Sequence, residues 1–281
     1  PSAAAELPAV DSHDEQGLLY LLYTSGSTGR PKGVLVSRAS FANLCDWYIG
    51  FANISVETPV LLMIPVGFDA SLKNIFAPLM QGATLVLAPA TRFDPPSLLA
   101  QIEAEGVALI NTAPSALYAL LSADQANDYH SLRQLRMFAV GGEALDLERV
   151  RPWLQSAACQ AELANIYGPT ECTDIAVACK ADKALWLART QVCIGRPIQN
   201  LQALIVDDEL ALCPPGVAGE LLLGGVGVAQ GYQNLPEATA ASFVSSPLVL
   251  GSGKLYRTGD YCRFDADGNL AITDRKKDLI K

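Results

Sequence analysis

Basic side chains and long apolar runs are scarce in this sequence of 281 residues. Lysine and arginine number 20 against 29 aspartates and glutamates, and a formal net charge of -9 argues against binding to a nucleic-acid backbone. No run approaches the roughly 18 apolar residues of a membrane span, and the start lacks a basic and then apolar signal segment. We therefore expect neither nucleic acid nor a membrane as a partner.

Histidine is also rare, and the cysteines are scattered. With only His13 and His130, a zinc site or a Ser-His-Asp triad lacks its side chains. We expect His130 at the surface, the alternative being a lone acid or base. Seven cysteines without a C-x-x-C pair are typical of reduced core thiols. A 50% hydrophobic composition excludes intrinsic disorder, and these features together predict a folded cytoplasmic protein.

Two patterns follow each other along the chain after residues 1–17, which are expected to be a linker or the tail of a preceding segment. Over residues 18–190, short apolar runs alternate with amphipathic stretches such as Pro96–Glu105 and Leu145–Ala157. This alternation predicts an α/β fold of layered, mostly parallel sheets with flanking helices. Over residues 191–272, short strands separated by glycine and proline predict a smaller β-rich, barrel-like subdomain.

The string YTSGSTGRPKG at residues 23–33 follows an apolar run and predicts an anion-binding loop. Its glycines let backbone amides approach a phosphate, while hydroxyls and a lysine add donors and charge. A P-loop of the NTPase type is disfavoured, because Pro31 replaces its second glycine and Gly33 replaces its Mg²⁺-binding hydroxyl. The candidate phosphate contacts are Thr24, Ser25, Gly26, Ser27, Thr28, Gly29 and Lys32.

Four further motifs follow in order. They are FDAS at Phe68–Ser71, NIYGPTE at Asn165–Glu171, GELLLGGVGVAQGY at Gly219–Tyr232 and YRTGD at Tyr256–Asp260. With the glycine-rich loop, this set resembles the adenylate-forming superfamily over nearly the whole stretch from residue 18 to 281. FDAS and IGRPI at Ile194–Ile198 resemble the adenylation domains of nonribosomal peptide synthetases in particular.

The resemblance implies an adenylate-forming ligase that converts ATP and an amino acid into aminoacyl-AMP and pyrophosphate. The acyl group then passes to the phosphopantetheine thiol of a peptidyl carrier protein, next to other synthetase domains. Attack on the α-phosphorus requires the protein to orient reactants and neutralise charge rather than to supply a nucleophile. ATP and Mg²⁺ are therefore the expected cofactors.

The same resemblance assigns roles to single residues. Tyr167 would pack on adenine, Asp260 and Arg275 would bind the ribose, and Glu171 would hold Mg²⁺. The expected catalytic residues are Thr24, Lys32, Thr170 and Glu171. The remaining expected ATP contacts are Gly141, Gly142, Asn165 and Gly168. Glu143 is expected to cap the helix that follows it.

Asp69 resembles the carboxylate that pairs with the α-ammonium of an amino-acid substrate, although an intrahelical pair with Lys73 is the alternative. The family's pocket positions correspond to Asp69, Ala70, Lys73, Asn111, Phe138, Val140, Ile166, Asp174 and Ile175. This lining predicts a polar substrate side chain, Glu-like, Gln-like or basic. In a competing arrangement Lys73 and Asp174 pair across the pocket and reduce it toward a small amino acid.

The resemblance has departures, and they keep two alternatives open. The segment DRKKDLIK resembles the hinge of an acyl-CoA ligase, so an acyl-CoA or aryl-CoA ligase is the nearer alternative. A noncatalytic nucleotide-binding fragment is the other. Residues 273–281 are expected to begin the hinge to a C-terminal domain that lends a lysine to the active site, so these 281 residues alone should be weakly active.

Overall fold

The structure is a computed structural model that describes residues 14–24, 31–89, 93–245 and 253–275. The strands are β1 (Leu18–Thr24), β2 (Lys32–Ser37), β3 (Val60–Leu62), β4 (Leu85–Leu87), β5 (Leu109–Thr112), β6 (Met137–Gly141), β7 (Glu162–Tyr167), β8 (Val177–Ala181), β9 (Arg196–Pro197), β10 (Leu201–Val206), β11 (Gly219–Gly225), β12 (Gly231–Tyr232), β13 (Phe243–Ser245), β14 (Lys254–Phe264) and β15 (Leu270–Arg275). The helices are α1 (Arg38–Phe51), α2 (Asp69–Met80), α3 (Pro95–Ala104), α4 (Pro114–Asp124), α5 (Leu147–Gln155), α6 (Lys183–Ala188) and α7 (Pro236–Ser242).

The largest sheet has seven strands in the order β4-β3-β5-β6-β7-β8-β9. Strands β3 to β7 run parallel, and helices α2, α3, α4 and α5 form the crossovers between them. Strands β8 and β9 add antiparallel to one edge. This topology confirms the predicted α/β class, and it brings the carboxyl ends of β5, β6 and β7 together, where sites form in such sheets.

Polar side chains determine where several helices begin. The Asp94 carboxylate accepts from the Ser97 amide, so α3 begins at Pro95, a residue suited to a first turn. The Asp146 carboxylate accepts from the Glu148 amide at the start of α5. The predicted stretch Leu145–Ala157 is therefore helical only from Leu147 to Gln155.

Two smaller antiparallel sheets complete the fold. One has the order β1-β2-β12, and the other has the order β10-β11-β14-β13, with β15 also paired to β14. The predicted change to β-rich structure is confirmed. Strand β12 nevertheless joins β2, and β9 joins the large sheet, so the second half of the chain contributes strands to the first.

Hydrophobic cores cover both faces of the large sheet. Successive residues of β6 point to opposite faces, Phe138 into one core and Ala139 into the other. The core that contains Ala139 also includes Val34 of β2, Leu223 of β11 and Leu270 of β15. The division into 18–190 and 191–272 stays a prediction, and one continuous core crosses it.

No helix in the described ranges combines the length and the apolar character that a membrane crossing requires. Of the two histidines, His130 is exposed beside Glu103, with 3.6 Å between Nε2 and Oε1. Its surface position agrees with the expectation from sequence. His13 lies outside the described residues.

We expect Gly195→Ala to destabilise the fold by more than about 2 kcal/mol. Gly195 has φ +91°, and a Cβ there would overlap the Ala178 carbonyl of the neighbouring strand. Gly50→Ala is the control, because a Cβ on Gly50 in α1 meets nothing within 4 Å. It should stabilise by about 0.5–1 kcal/mol. Urea unfolding measures both changes in the free energy of unfolding, and equal stabilities of the two variants would contradict this account.

Candidate active site

The predicted site residues converge on a cavity of about 530 Å³ at the carboxyl ends of β5, β6 and β7. Predicted site residues that line it are Asp69, Ala70, Asn111, Gly141, Gly142, Ile166, Gly168 and Asp174. Its apolar walls include Met63, Ile64, Pro65, Phe68 and Phe93. The predicted residues alone come from four separate segments of the chain. A separate cavity of about 590 Å³ lies against the GELLLGGVGVAQGY motif, and none of the predicted site residues that the structure describes lines it.

Lys73 lies behind this cavity and is fully buried. Its Nζ is 2.7 Å from Asp174 Oδ2 in an ion pair, and it donates to Asn111 Oδ1 at 2.7 Å and to the Ala70 carbonyl at 3.1 Å. Three oxygen partners compensate the desolvation of the ammonium group. Of the two arrangements considered from sequence, the structure contains the pairing of Lys73 with Asp174.

Asp69 is the first residue of α2 and lines the same cavity while remaining half-buried. Its Oδ1 accepts from the Ala70 amide at 2.9 Å, which is a local contact in the first turn of the helix. Free amides at a helix N-terminus stabilise a carboxylate. The alternative pair with Lys73 does not form, and Asp69 makes no ion pair among the described residues. Its charge is therefore available to a cationic group in the cavity.

A strained turn carries Asp174. Thr173 and Asp174 both have left-handed backbones, with φ +58° and +66°, and the Thr173 hydroxyl donates to the Gly227 carbonyl at 2.7 Å. Such strain concentrates at functional sites. Gly168 makes the turn possible, because a Cβ on it would overlap the Asp174 carbonyl. Burial raises the pKa of Asp174 to about 6, while Lys73 acts to lower it and Asp69 to raise it.

Phe138 and Val140 were predicted pocket residues, and the structure places both in the core on the opposite face of β6. Successive side chains of a strand alternate between faces, so a one-residue error in assignment reverses the direction. Gly141 lines the cavity instead, and Ala139 lies opposite Asn111 in the sheet register. The alternation of side chains along β6 was the sequence signal that could have placed Gly141 on the cavity face and Phe138 and Val140 on the other.

Ile175 is also buried in the core rather than exposed to the cavity. Asn165 is a predicted ATP contact, but its side chain faces away from the cavity. Its Nδ2 donates to the Cys193 carbonyl at 2.9 Å. Alternation along β7 again explains the error, since Ile166 takes the cavity side. Ile175 and Asn165 therefore contribute to packing and hydrogen bonding within the fold and do not line the cavity.

Glu143 does not cap the helix that follows it. Its carboxylate accepts from the Ser115 amide and from the Ser115 hydroxyl, both at 3.0 Å, at the first turn of α4. Asp146 caps α5 instead. Glu143 also lines the cavity, so one side chain joins the cavity wall to the start of α4.

Tyr167 and Asp260 meet across the two sheets, as the Tyr167 hydroxyl donates to Asp260 Oδ2. The Asp260 amide donates to the Thr258 hydroxyl at 3.0 Å, which holds this part of β14 in place. Burial and then the Asp260 charge raise the pKa of Tyr167, so the phenol stays protonated. Arg275 lies opposite Asp260 in the β14–β15 register.

Tyr232 connects the predicted catalytic residues, and sequence reasoning assigned it no role. Its hydroxyl donates to Glu171 Oε1 at 2.7 Å, and Lys32 Nζ lies 4.9 Å from the centre of its ring. Thr24 pairs opposite Lys32 at the ends of β1 and β2, which the glycine-rich loop joins. The position of Tyr232 as the last residue of the GELLLGGVGVAQGY motif was the sequence signal that could have identified it. The predicted Ser25, Gly26, Ser27, Thr28 and Gly29 lie outside the described residues.

Glu171 is buried and sits in a short 3-10 helix with Thr170. Over the residues that the structure describes, no three His, Cys, Asp or Glu side chains cluster as a metal site. A Mg²⁺ ion that keeps waters and binds phosphates needs only one or two protein carboxylates. The buried carboxylate of Glu171 is therefore compatible with such an ion.

Comparison with protein-family models matches residues 2–233 to the family described as AMP-binding enzyme. The chain is 40% identical over 268 residues to phosphinothricin tripeptide synthetase PhsB of Streptomyces viridochromogenes, covering 94% of this chain and 22% of that protein. It is 34% identical to the dimodular nonribosomal peptide synthase of Bacillus subtilis, covering 93% and 11%. The chain thus spans less than a quarter of the length of these curated relatives.

Solved structures show the same likeness. The chain matches PA1221, a synthetase protein containing adenylation and PCP domains, with 30% identity and a TM-score of 0.84, over 96% of this chain and 53% of that one. It also matches the N-terminal subdomain of Klebsiella oxytoca NpsA in complex with 3-hydroxybenzoyl-AMSN. That match has 28% identity and a TM-score of 0.80, over 93% and 65% of the two chains.

The Lys73–Asp174 pair predicts a strong energetic coupling. Asp174→Ala leaves a buried ammonium without its counter-charge and should cost about 3–5 kcal/mol. The double variant Lys73→Met with Asp174→Ala removes both charges and should be more stable than Asp174→Ala alone. Urea unfolding of the wild type, both single variants and the double variant gives the coupling energy. Additive effects would mean that the two side chains do not interact.

Proposed function

The chain belongs to the AMP-binding enzyme family, and on that basis we propose that it activates the carboxylate of an α-amino acid with ATP. The products are an aminoacyl adenylate and pyrophosphate. The observation that supports an amino acid most directly is Asp69, a carboxylate without an ion pair in the described structure that lines the cavity. A half-buried anion at this position favours a ligand with an ammonium group.

ATP binding is proposed along the cavity edge, where Gly141, Gly142 and Gly168 let the backbone approach a ligand. Tyr167 and Asp260 are proposed as the adenine and ribose contacts, since the Asp260 carboxylate can accept from hydroxyls. Thr170, Lys32 and Thr24 would orient and neutralise the phosphates near the leaving pyrophosphate. Glu171 would hold Mg²⁺, which when bound neutralises charge on phosphate oxygens.

The adenylate is proposed to pass its acyl group to the phosphopantetheine thiol of a peptidyl carrier protein. PA1221, the structural relative containing adenylation and PCP domains, supports such a partner, as do the large synthetases among the sequence relatives. These relatives favour a peptide synthetase over an acyl-CoA ligase. The seven free thiols favour a reducing compartment such as the cytoplasm.

The residues Lys73, Asn111 and Asp174 support a narrower class of substrate side chain than the sequence predicted. Lys73 already has three oxygen partners, so it has little capacity left for an acidic side chain. Asn111 accepts from Lys73 and Asn74 and donates to the Ala139 carbonyl, so its amide is engaged as well. Asp174 lines the cavity as an acceptor. We therefore propose a neutral side chain that donates a hydrogen bond, such as an alcohol or a primary amide.

Amino-acid-dependent exchange of pyrophosphate into ATP tests the reaction on the full natural chain. We expect exchange with an α-amino acid and none with its des-amino analogue. Asp69→Asn should lower kcat/KM for the amino acid about a hundredfold or more, because the ammonium loses its counter-charge. Asp267→Asn, an exposed turn residue, is the matched control and should change nothing.

Two outcomes would contradict the proposal. Exchange only with carboxylic acids that lack an amino group would indicate the acyl-CoA ligase alternative. ATP binding without exchange for any acid would indicate a noncatalytic nucleotide-binding protein.

A substrate panel tests the side-chain class. Serine, threonine, asparagine and glutamine should include the best substrate, and aspartate and glutamate should rank far below it. Lys73→Met should shift the ranking toward basic amino acids, because it leaves the Asp174 charge unbalanced. An unchanged ranking in Lys73→Met, or a preference of the wild type for glutamate, would show that Lys73 does not act as proposed.

A further inference from the structure

Two of the seven thiols lie against each other. The sulfur atoms of Cys179 in β8 and Cys193, which precedes β9, are 3.1 Å apart, within hydrogen-bond distance. Both residues are free cysteines and both are buried. A disulfide bond is about 2.05 Å long, so the sulfurs need to approach by only about 1 Å. The two side chains are therefore close enough for an intramolecular bond.

The Arg189 side chain makes a hydrogen bond to one of the two sulfurs. The Arg189 guanidinium donates to Cys193 Sγ at 3.1 Å, which favours the thiolate of this cysteine. The groups that act on Cys193 are Cys179, Arg189, Asp265 and the backbone amide of Gly195. The hydrogen bond with Cys179, the Arg189 charge and the Gly195 backbone amide lower the pKa of Cys193 against burial and the Asp265 charge, while the pKa of Cys179 is raised.

Cys193 also lines a cavity of about 290 Å³. Gln191, Arg263 and Asp265 also line this cavity and give it polar groups. It is distinct from the candidate active site, because the two cavities share no lining residue. A molecule as small as hydrogen peroxide has room to reach the sulfur there.

We propose that Cys179 and Cys193 form a redox-active dithiol that hydrogen peroxide converts to an intramolecular disulfide. The Cys193 thiolate attacks one peroxide oxygen, the O–O bond breaks, and the departing hydroxide takes a proton to become water. Cys179 gives up its proton and attacks the sulfur of the resulting sulfenic acid, so an S–S bond forms and the second oxygen leaves as water. Two thiols and one peroxide thus give one disulfide and two waters.

The dithiol lies directly behind the predicted nucleotide edge. Cys179 is opposite Asn165 in the register of β7 and β8, and the Asn165 amide holds the Cys193 carbonyl. Asn165 precedes Tyr167 by two residues in the same strand. A disulfide would therefore connect β8 covalently to the segment before β9 close to that edge.

Peroxide treatment followed by thiol blocking and peptide mapping by mass spectrometry tests the proposal. We expect a Cys179–Cys193 cross-linked peptide that dithiothreitol reverses. Its rate of formation should rise with pH and level off below about pH 8.5, the pKa of an ordinary thiol, because the pKa of Cys193 is lowered. Arg189→Gln should slow the reaction several-fold, because the thiolate loses its cation.

Variants separate the two cysteines. In Cys179→Ser, Cys193 should accumulate as a sulfenic acid that dimedone traps, whereas in Cys193→Ser residue 179 should remain a thiol. Cys159→Ser removes another buried thiol and should leave the cross-link unchanged. The proposal would be overturned if Cys179 and Cys193 stayed thiols in peroxide while the partly exposed Cys213 reacted. A cross-link between other cysteines would also overturn it. Mapping of the wild type decides this even if a variant fails to fold.

Discussion

The buried ion pair between Lys73 and Asp174 is the interaction on which the candidate site depends. An ammonium group with no solvent contact is tolerated only if oxygens surround it, and here they come from α2, β5 and the turn after β7. Each of these segments also supplies a residue that lines the cavity. The compensation of one charge therefore fixes the relative positions of the segments that form the site.

The second constraint is the junction between the large sheet and the β-rich half. A continuous core joins β2, β6, β11 and β15, and the contact of Tyr167 with the buried Asp260 links the two sheets there. Tyr232 likewise contacts two distant residues, Glu171 through its hydroxyl and Lys32 through its ring. Residues far apart in sequence thus meet on rigid elements, which suits a reaction that relies on orientation and charge neutralisation.

The sequence predicted Asp69, Asn111, Ile166 and Asp174 as pocket residues, and all four line the cavity. Asp69 and Ile166 lie within the motifs FDAS and NIYGPTE, whereas Asn111 and Asp174 were located by the pocket positions that the family resemblance implies. The errors at Phe138 and Val140 have a single cause, which is the period of two along a strand. The sequence showed that β6 passes the site but not which of its faces meets the cavity.

The order of strands and helices, the glycine-rich loop and the acidic, cysteine-scattered composition are determined by the sequence alone, because they depend on local patterns. The tertiary structure decided which partners meet. Lys73 pairs with Asp174 rather than with Asp69 four residues away, and Cys179 meets Cys193 although no spacing marks them as a pair. Such contacts depend on packing and desolvation between distant segments, and local sequence patterns do not encode them.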